Sequence, residues 1–252
     1  MPPKILTLDI ETAPNIAAVW SLWKQNISLP QLLEPSYVLC WSAKWKGTSK
    51  ILFDSVYKSG QRHMIKGIWG LLDEADIVIH FNGRRFDIPT LNKEFLSLGL
   101  LPPSSYKQID LLETAKTRFN FVSNKLAYIT KFLKLDGKIE TGFKLWLDVM
   151  RNDAKAWAKM EKYNKNDVIE TEKLYDRLLP WIVSHPNLGL YAKLHGVTCP
   201  TCGSDKVQRR GLSHMKTQSY QRYQCQNCGS WMRSRFSEKG LDRKFVMIPT
   251  AE

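Results

Sequence analysis

Near its start the chain reads Ile5-Leu6-Thr7-Leu8-Asp9-Ile10-Glu11-Thr12, an apolar run that carries two acidic residues. The run predicts a buried strand. Because side chains alternate between the two faces of a strand, Asp9 and Glu11 point to the same side. Two neighbouring carboxylates on a buried strand repel each other and lose hydration, which a bound Mg²⁺ or Mn²⁺ would offset. The alternative is that Glu11 ends the strand and faces solvent.

The segments that follow predict an α/β fold. Apolar runs with turn signals between them predict two more strands, then a helix, a fourth strand and a second helix, at residues 37–45, 50–53, 61–73, 77–81 and 89–98. After residue 98 the chain is expected to be all helix up to about residue 180, at 111–118, 124–133, 153–159 and 162–179. This order resembles the ribonuclease-H-like fold, a mixed sheet flanked by helices.

Two later segments add acids to the first pair. Asp87 follows the fourth strand, which in a ribonuclease-H-like sheet lies beside the first, so its carboxylate is expected to reach Asp9 and Glu11. Asp87 as a helix N-cap is the alternative. Tyr163 and Asp167 are four positions apart and share one helix face, where a phenol beside a carboxylate could orient an attacking water. The alternative there is an amphipathic helix with Tyr163 in the core and Asp167 in water.

Three motifs, in this order, resemble the DEDD superfamily of 3′–5′ exonucleases in its tyrosine variant. They are Asp9-x-Glu11-Thr12, Asn82-x-x-x-Phe86-Asp87 with Pro89 close behind, and Tyr163-x-x-x-Asp167. The resemblance covers residues 1 to about 180 and is greatest to the exonuclease domain of family B DNA polymerases.

The resemblance implies a two-metal hydrolysis of phosphodiester bonds that releases 5′-mononucleotides from a 3′ end. Tyr163 would orient the attacking water. Contacts to the terminal nucleotide would come from Thr12, Asn82 and Phe86. Two Mg²⁺ or Mn²⁺ ions would be held by four carboxylates, those of Asp9, Glu11, Asp87 and Asp167.

Four of the five cysteines form two Cys-x-x-Cys pairs near the C-terminus, Cys199/Cys202 and Cys225/Cys228, with 22 residues between the pairs. Two such turns complete a tetrahedral site for one structural Zn²⁺, so a small zinc ribbon with four cysteine ligands is predicted. Metal binding would then supply the folding energy of this short segment. The fifth cysteine, Cys40, lies in an apolar run and is expected to be a core thiol.

Basic residues and aromatic residues alternate around the second pair, and the chain carries a formal net charge of +13. This pattern favours a nucleic acid partner, with bases stacked on aromatic rings and phosphates paired with cations. The alternatives are a structural ribbon with a solvated basic face and a ribbon that docks a protein. The residues are Lys206, Arg209, Arg210, Lys216, Arg222, Arg233, Arg235, Arg243 and Lys244, with Tyr220, Tyr223, Trp231 and Phe236.

These observations predict an exonuclease domain over residues 1–185 and a linker with the zinc ribbon over 186–252. Asp110 is expected to cap a helix, and His80 and His185 are each expected to be a packed or a linker histidine. No signal peptide or membrane segment is recognised, so a cytoplasmic location without membrane contact is expected. Two other functions stay open: an endonuclease on the same fold, and a non-catalytic nucleic-acid-binding protein. The sequence does not choose between DNA and RNA.

Overall fold

The computed structural model describes residues 2–135, 139, 141–191, 196–215 and 217–238. The chain divides into two compact units, one spanning Lys4–Asp176 and the other beginning at Arg177. The functional boundary at residue 185 stays a prediction.

The first unit is built on a mixed sheet of five strands in the order β5-β4-β1-β6-β7. Strand β4 pairs antiparallel with β1 on one side and with β5 on the other, whereas β6 pairs parallel with β1 and β7 pairs parallel with β6. A separate two-stranded ladder joins β2 and β3. The strands of this unit are β1 (Ile5–Thr12), β2 (Ile16–Ala17), β3 (Leu32–Glu34), β4 (Val38–Trp45), β5 (Ile51–Ser55), β6 (Ile77–His80) and β7 (Lys107–Asp110).

Helices cover both faces of this sheet, so the predicted ribonuclease-H-like architecture is confirmed. On one face, α2 packs Met64 and Ile68 against Leu8 of β1. On the other, Val149 and Trp157 pack against Leu39 of β4. The helices are α1 (Val56–Ser59), α2 (Gln61–Glu74), α3 (Asp87–Ser97), α4 (Leu111–Arg118), α5 (Leu126–Phe132), α6 (Phe143–Met150) and α7 (Ala154–Leu178).

After residue 98 the structure differs from the predicted all-helical segment by one strand, and from the predicted helices in two places. Strand β7 was missed because Lys107–Asp110 holds a single apolar residue, Ile109. Helix α6 was missed as well, although it buries Leu145 and Val149. The helices predicted at 153–159 and 162–179 are one helix, α7, because Met160 and Glu161 between them continue it, with Met160 buried in the core.

The second unit contains a three-stranded antiparallel sheet in the order β10-β9-β8. Its strands are β8 (Val207–His214), β9 (Ser219–Cys225) and β10 (Trp231–Ser237). Across both units, none of the helices in the described residues is long and apolar enough to cross a membrane.

Candidate active site and metal centres

Three carboxylates meet at the middle of the sheet. Oxygens of Asp9 and Glu11 on β1 and of Asp167 on α7 all lie within 4.8 Å of one another. The strand alternation places the first two on one face, and helix α7 brings the third across that face. Each of the three is partly open to solvent, so a cation can reach them.

Asp87, the first residue of α3, lies beside these three carboxylates but not within the 4.8 Å that joins them. Its side chain is buried, and its Oδ1 accepts a hydrogen bond from the backbone N–H of Ile10, at 3.1 Å. Ile10 stands between Asp9 and Glu11, so Asp87 is tied to the strand that carries both. The charge of Asp87 raises the pKa of each of these two acids.

Burial and mutual repulsion raise the pKa values of these acids. Loss of water raises the pKa of Asp9 well above its usual range, and the charges of Asp87, Glu11 and Asp167 add to the effect. The same two causes raise the pKa of Glu11 to about 8. Burial raises the pKa of Asp87 to about 7, although hydrogen bonds from backbone N–H groups oppose the rise. The cluster is therefore unfavourable as free anions, and its hard oxygen ligands fit a divalent cation such as Mg²⁺ or Mn²⁺.

Tyr163 on α7 stands next to Asp167. Burial raises the pKa of its phenol, and the charges of Asp167 and Glu11 and a hydrogen bond with Asp167 raise it further. The phenol therefore stays protonated and can act as a hydrogen-bond donor. Its ring packs edge-on against Trp146 of α6, with the ring centroids 6.0 Å apart.

Asn164 is a site residue that sequence reasoning missed. It is fully buried, and its Nδ2 donates to the Oδ2 of Asp9 at 2.6 Å and to the backbone oxygen of Asp9 at 3.3 Å. This amide fixes the position of the Asp9 carboxylate. The one available signal was its place three positions before Asp167, which puts both residues on one helix face.

Asp110, at the end of β7, organises the loop that leads into Asp87. Its Oδ1 accepts from the backbone N–H groups of Leu112 and Asn82, at 3.0 and 2.9 Å, and its Oδ2 accepts from that of Arg84 at 3.2 Å. The expected helix cap is present, since Leu112 lies in the first turn of α4. Through its hydrogen bonds to Asn82 and Arg84, the same carboxylate also holds the backbone of the loop between β6 and α3 in place.

The side chain of His80, the last residue of β6, packs against the loop that connects β6 to α3. Its Nδ1 accepts the backbone N–H of Gly83 at 3.1 Å, and its Nε2 lies 3.0 Å from the Oε1 of Gln108. Burial lowers the pKa of His80, so the ring is neutral and packed, as expected from the sequence. A Cβ on Gly83 would lie 2.4 Å from the His80 ring, so only glycine fits there.

The residues predicted to contact a terminal nucleotide are close neighbours of the carboxylate residues in the sequence. Thr12 follows Glu11 at the end of β1 and is partly exposed. Asn82 is also partly exposed and has a left-handed backbone, with φ at 69°. Phe86 precedes Asp87, and 44% of it is exposed. Their contacts to a nucleotide stay predictions.

The four C-terminal cysteines form a second cluster, with all sulfurs within 4.8 Å of one another. The Sγ atoms of Cys199 and Cys228 are 3.7 Å apart, and those of Cys202 and Cys225 are 3.6 Å apart. Burial acts to raise the pKa of Cys225, but hydrogen bonds from the backbone N–H groups of Cys228 and Asn227, together with those with the thiols of Cys202 and Cys228, outweigh it and lower the pKa to about 7. Burial raises the pKa of Cys199 to about 12 and also raises that of Cys202. The convergence of the four sulfurs fits the predicted zinc ribbon.

Arginines of the ribbon lie over its aromatic rings. The guanidinium of Arg233 is 4.1 Å from the centroid of the Tyr220 ring, and that of Arg222 is 4.9 Å from that of Trp231. Trp231 is 54% exposed, so its ring remains accessible. Of the basic residues predicted to bind nucleic acid, Lys216, Arg243 and Lys244 lie outside the described residues.

Comparison with known proteins agrees with this architecture. The model of the RNase_H superfamily matches residues 43–179, which is more than half of the chain. The family B DNA polymerase of the hyperthermophilic archaeon Pyrobaculum calidifontis is similar in structure, with a TM-score of 0.56 and 16% sequence identity. That match covers 71% of this chain and 25% of the polymerase chain. A comparison with curated proteins found no match. The resemblance to family B polymerases is thus confirmed for the fold.

Proposed function

Since the chain belongs to the RNase_H superfamily, we propose that it is a metal-dependent 3′–5′ exonuclease that hydrolyses DNA or RNA and releases 5′-mononucleotides. The observation that carries this proposal is the group of carboxylates from Asp9, Glu11 and Asp167, within 4.8 Å of one another and next to the Tyr163 phenol. A protein without a cation at this place would hold mutually repelling acids with little to compensate them.

Asp9, Glu11, Asp87 and Asp167 would hold two Mg²⁺ or Mn²⁺ ions. When bound, such ions lower the pKa of a water ligand and neutralise charge that develops on the phosphate and on the leaving 3′ oxygen. Asn164 keeps the Asp9 carboxylate in one orientation through its 2.6 Å hydrogen bond. The backbone N–H of Ile10 does the same for Asp87.

Tyr163 has the properties of a water-orienting residue. Its phenol stays protonated over the physiological pH range and contacts Asp167. In this role it positions the attacking water without removing a proton itself. The proton released from that water passes to solvent or to a carboxylate of the cluster.

The net charge of +13 supports a polyanionic substrate, and the exposed ring of Trp231 beside Arg222 supports single-strand binding by the ribbon. One structural Zn²⁺ on the four cysteines would hold the ribbon together. An endonuclease would use the same carboxylates, so the test must separate the two activities.

The test uses 5′-labelled single-stranded DNA and RNA oligonucleotides with Mg²⁺, with Mn²⁺ and with EDTA. We expect a metal-dependent ladder that shortens from the 3′ end, and no cleavage by Asp9→Asn, which keeps the shape of the side chain but removes its charge. Circular single-stranded DNA should stay intact. Cleavage of the circle would favour an endonuclease, and binding without cleavage of any substrate would favour a non-catalytic protein.

A further inference from the structure

The connection between β1 and β4 exposes an unusual amount of apolar surface. We call residues 13–37 the tryptophan loop. Its side chains include Trp20, which is 99% exposed, and Trp23, which is 81% exposed. By contrast, Trp41 and Trp157 of the same unit are almost completely buried. The other large apolar residues exposed on the loop are Val19, Leu22, Ile27, Leu29 and Leu33.

The loop is anchored at the carboxylate site. It leaves β1 directly after Glu11 and Thr12, and the backbone N–H of Ala13 donates to the oxygen of Tyr37 at 2.9 Å, where the loop returns. Glu11 is paired in register with Cys40 of β4. Trp20 is nine residues beyond Glu11, so an extended chain would place it at most about 30 Å from the site.

Hydrogen bonds within the loop hold its backbone while its indoles stay outside. The backbone N–H of Ala18 donates to the oxygen of Gln31 at 2.9 Å, and the side chain of Gln31 returns a bond to Ala18 at 3.0 Å. Asn15 accepts from the backbone N–H of Ser36 at 2.6 Å. The two indoles thus add nothing to the packing of the core, and their exposure calls for a ligand.

We infer that Trp20 and Trp23 form a stacking platform for unpaired bases of a nucleic acid strand whose 3′ end lies at the carboxylate cluster. This inference rests on the proposed function and adds a binding surface for its single-stranded substrate, beside the carboxylates and outside the ribbon. Flat indole rings stack on any base, so the platform is tolerant of sequence.

The charge of the loop favours this ligand over an anionic membrane. Residues 13–37 contain one basic residue, Lys24, and one acidic residue, Glu34. Anchoring to anionic lipid uses clusters of cations beside the apolar residues, which this loop lacks. The chain as a whole carries +13, so attraction to phosphates comes from outside the loop, while the loop contacts bases.

The test is binding of the full chain to a fluorescent oligo(dT) strand and to a blunt DNA duplex, by anisotropy in EDTA so that no cleavage occurs. Trp20→Ala/Trp23→Ala should weaken binding to the single strand about tenfold or more, and Trp20→Phe/Trp23→Phe should keep most of it. Leu22→Ala/Leu29→Ala, which removes apolar area from the same loop without a ring, is the matched control and should bind within about twofold of wild type.

Four results would overturn the inference. They are unchanged single-strand affinity in the double alanine variant, an equal loss in the leucine variant, an equal loss for the duplex, and binding of wild type to phosphatidylglycerol vesicles through the two tryptophans. The second would point to an apolar protein partner, and the fourth to a membrane. The binding assay needs no catalysis, so it can succeed where the exonuclease test fails. If wild type cleaves the oligonucleotide but its binding does not depend on the two tryptophans, this inference is refuted while the proposed function stands.

Discussion

Replacing Glu11 with glutamine is expected to stabilise the protein in the absence of metal while it removes activity. The fold raises the pKa of Glu11 from 4.5 to about 8, so keeping this side chain ionised opposes folding at alkaline pH. That rise corresponds to about 5 kcal/mol at 1.36 kcal/mol per pH unit. Because Glu11 is partly exposed and its neighbours can share protons, we expect about 2 kcal/mol.

The pH dependence follows from the direction of the pKa change. A carboxylate with a raised pKa in the folded state destabilises the fold increasingly as the pH rises from about 4.5 to about 8. Glu11→Gln should therefore melt about 4–8 °C higher than wild type in EDTA at pH 8.5. At pH 5 the difference should shrink to a few tenths of a kcal/mol, since Glu11 is then protonated in the folded wild type as well.

The assay is thermal unfolding followed by circular dichroism at both pH values, with and without Mn²⁺. Mn²⁺ should raise the Tm of wild type at pH 8.5, and it should raise that of Glu11→Gln much less. Glu74→Gln is the control, since it removes an exposed carboxylate that pairs with Lys4 and should change the Tm little. A Glu11→Gln variant that melts at or below wild type in EDTA at pH 8.5 would refute the electrostatic reasoning.

Three further substitutions test separate parts of the account. Tyr163→Phe should lower the rate of hydrolysis by about 10²-fold or more and keep the stabilisation by Mn²⁺, because the phenol orients water and does not hold metal; a rate near wild type would exclude that role. Asp110→Asn should lower the free energy of unfolding in urea by about 1–3 kcal/mol and reduce activity, because an amide cannot accept both the Asn82 and Arg84 N–H groups; unchanged stability would contradict the positioning role. Cys225→Ser should reduce bound zinc, measured by elemental analysis, and weaken oligonucleotide binding more than it changes the rate constant at saturation; full zinc content would remove Cys225 from the ligand set.

The strands that could be predicted from the sequence are those with a clear apolar run. The first half of β1 and the four-residue run of β6 are buried, and their apolar residues identify both as strands. Strand β7 carries only Ile109 in its apolar pattern, and tertiary pairing with β6 makes it a strand. No local signal in Lys107–Asp110 distinguishes it from a loop.

The carboxylates of the site were predictable because they stand at fixed spacings on regular elements. Asp9 and Glu11 follow the strand period, and Tyr163 and Asp167 follow the helix period. The hydrogen bond of Asn164 to Asp9 and those of Asp110 to the loop before α3 were not predictable, since both depend on which groups the fold brings within hydrogen-bond distance. The exposure of Trp20 also needed the structure, because a tryptophan in an apolar segment usually belongs to the core.

The central claim is that water attacks the last phosphodiester bond at a 3′ end. The most direct measurement is digestion of a single-stranded oligonucleotide in water enriched in ¹⁸O, with Mn²⁺, followed by mass spectrometry of the products. We predict that wild type releases 5′-mononucleotides that each carry one ¹⁸O atom on the phosphate, and that Asp9→Asn releases no mononucleotides. Oligonucleotide fragments without mononucleotides, or mononucleotides with a 3′-phosphate, would contradict it.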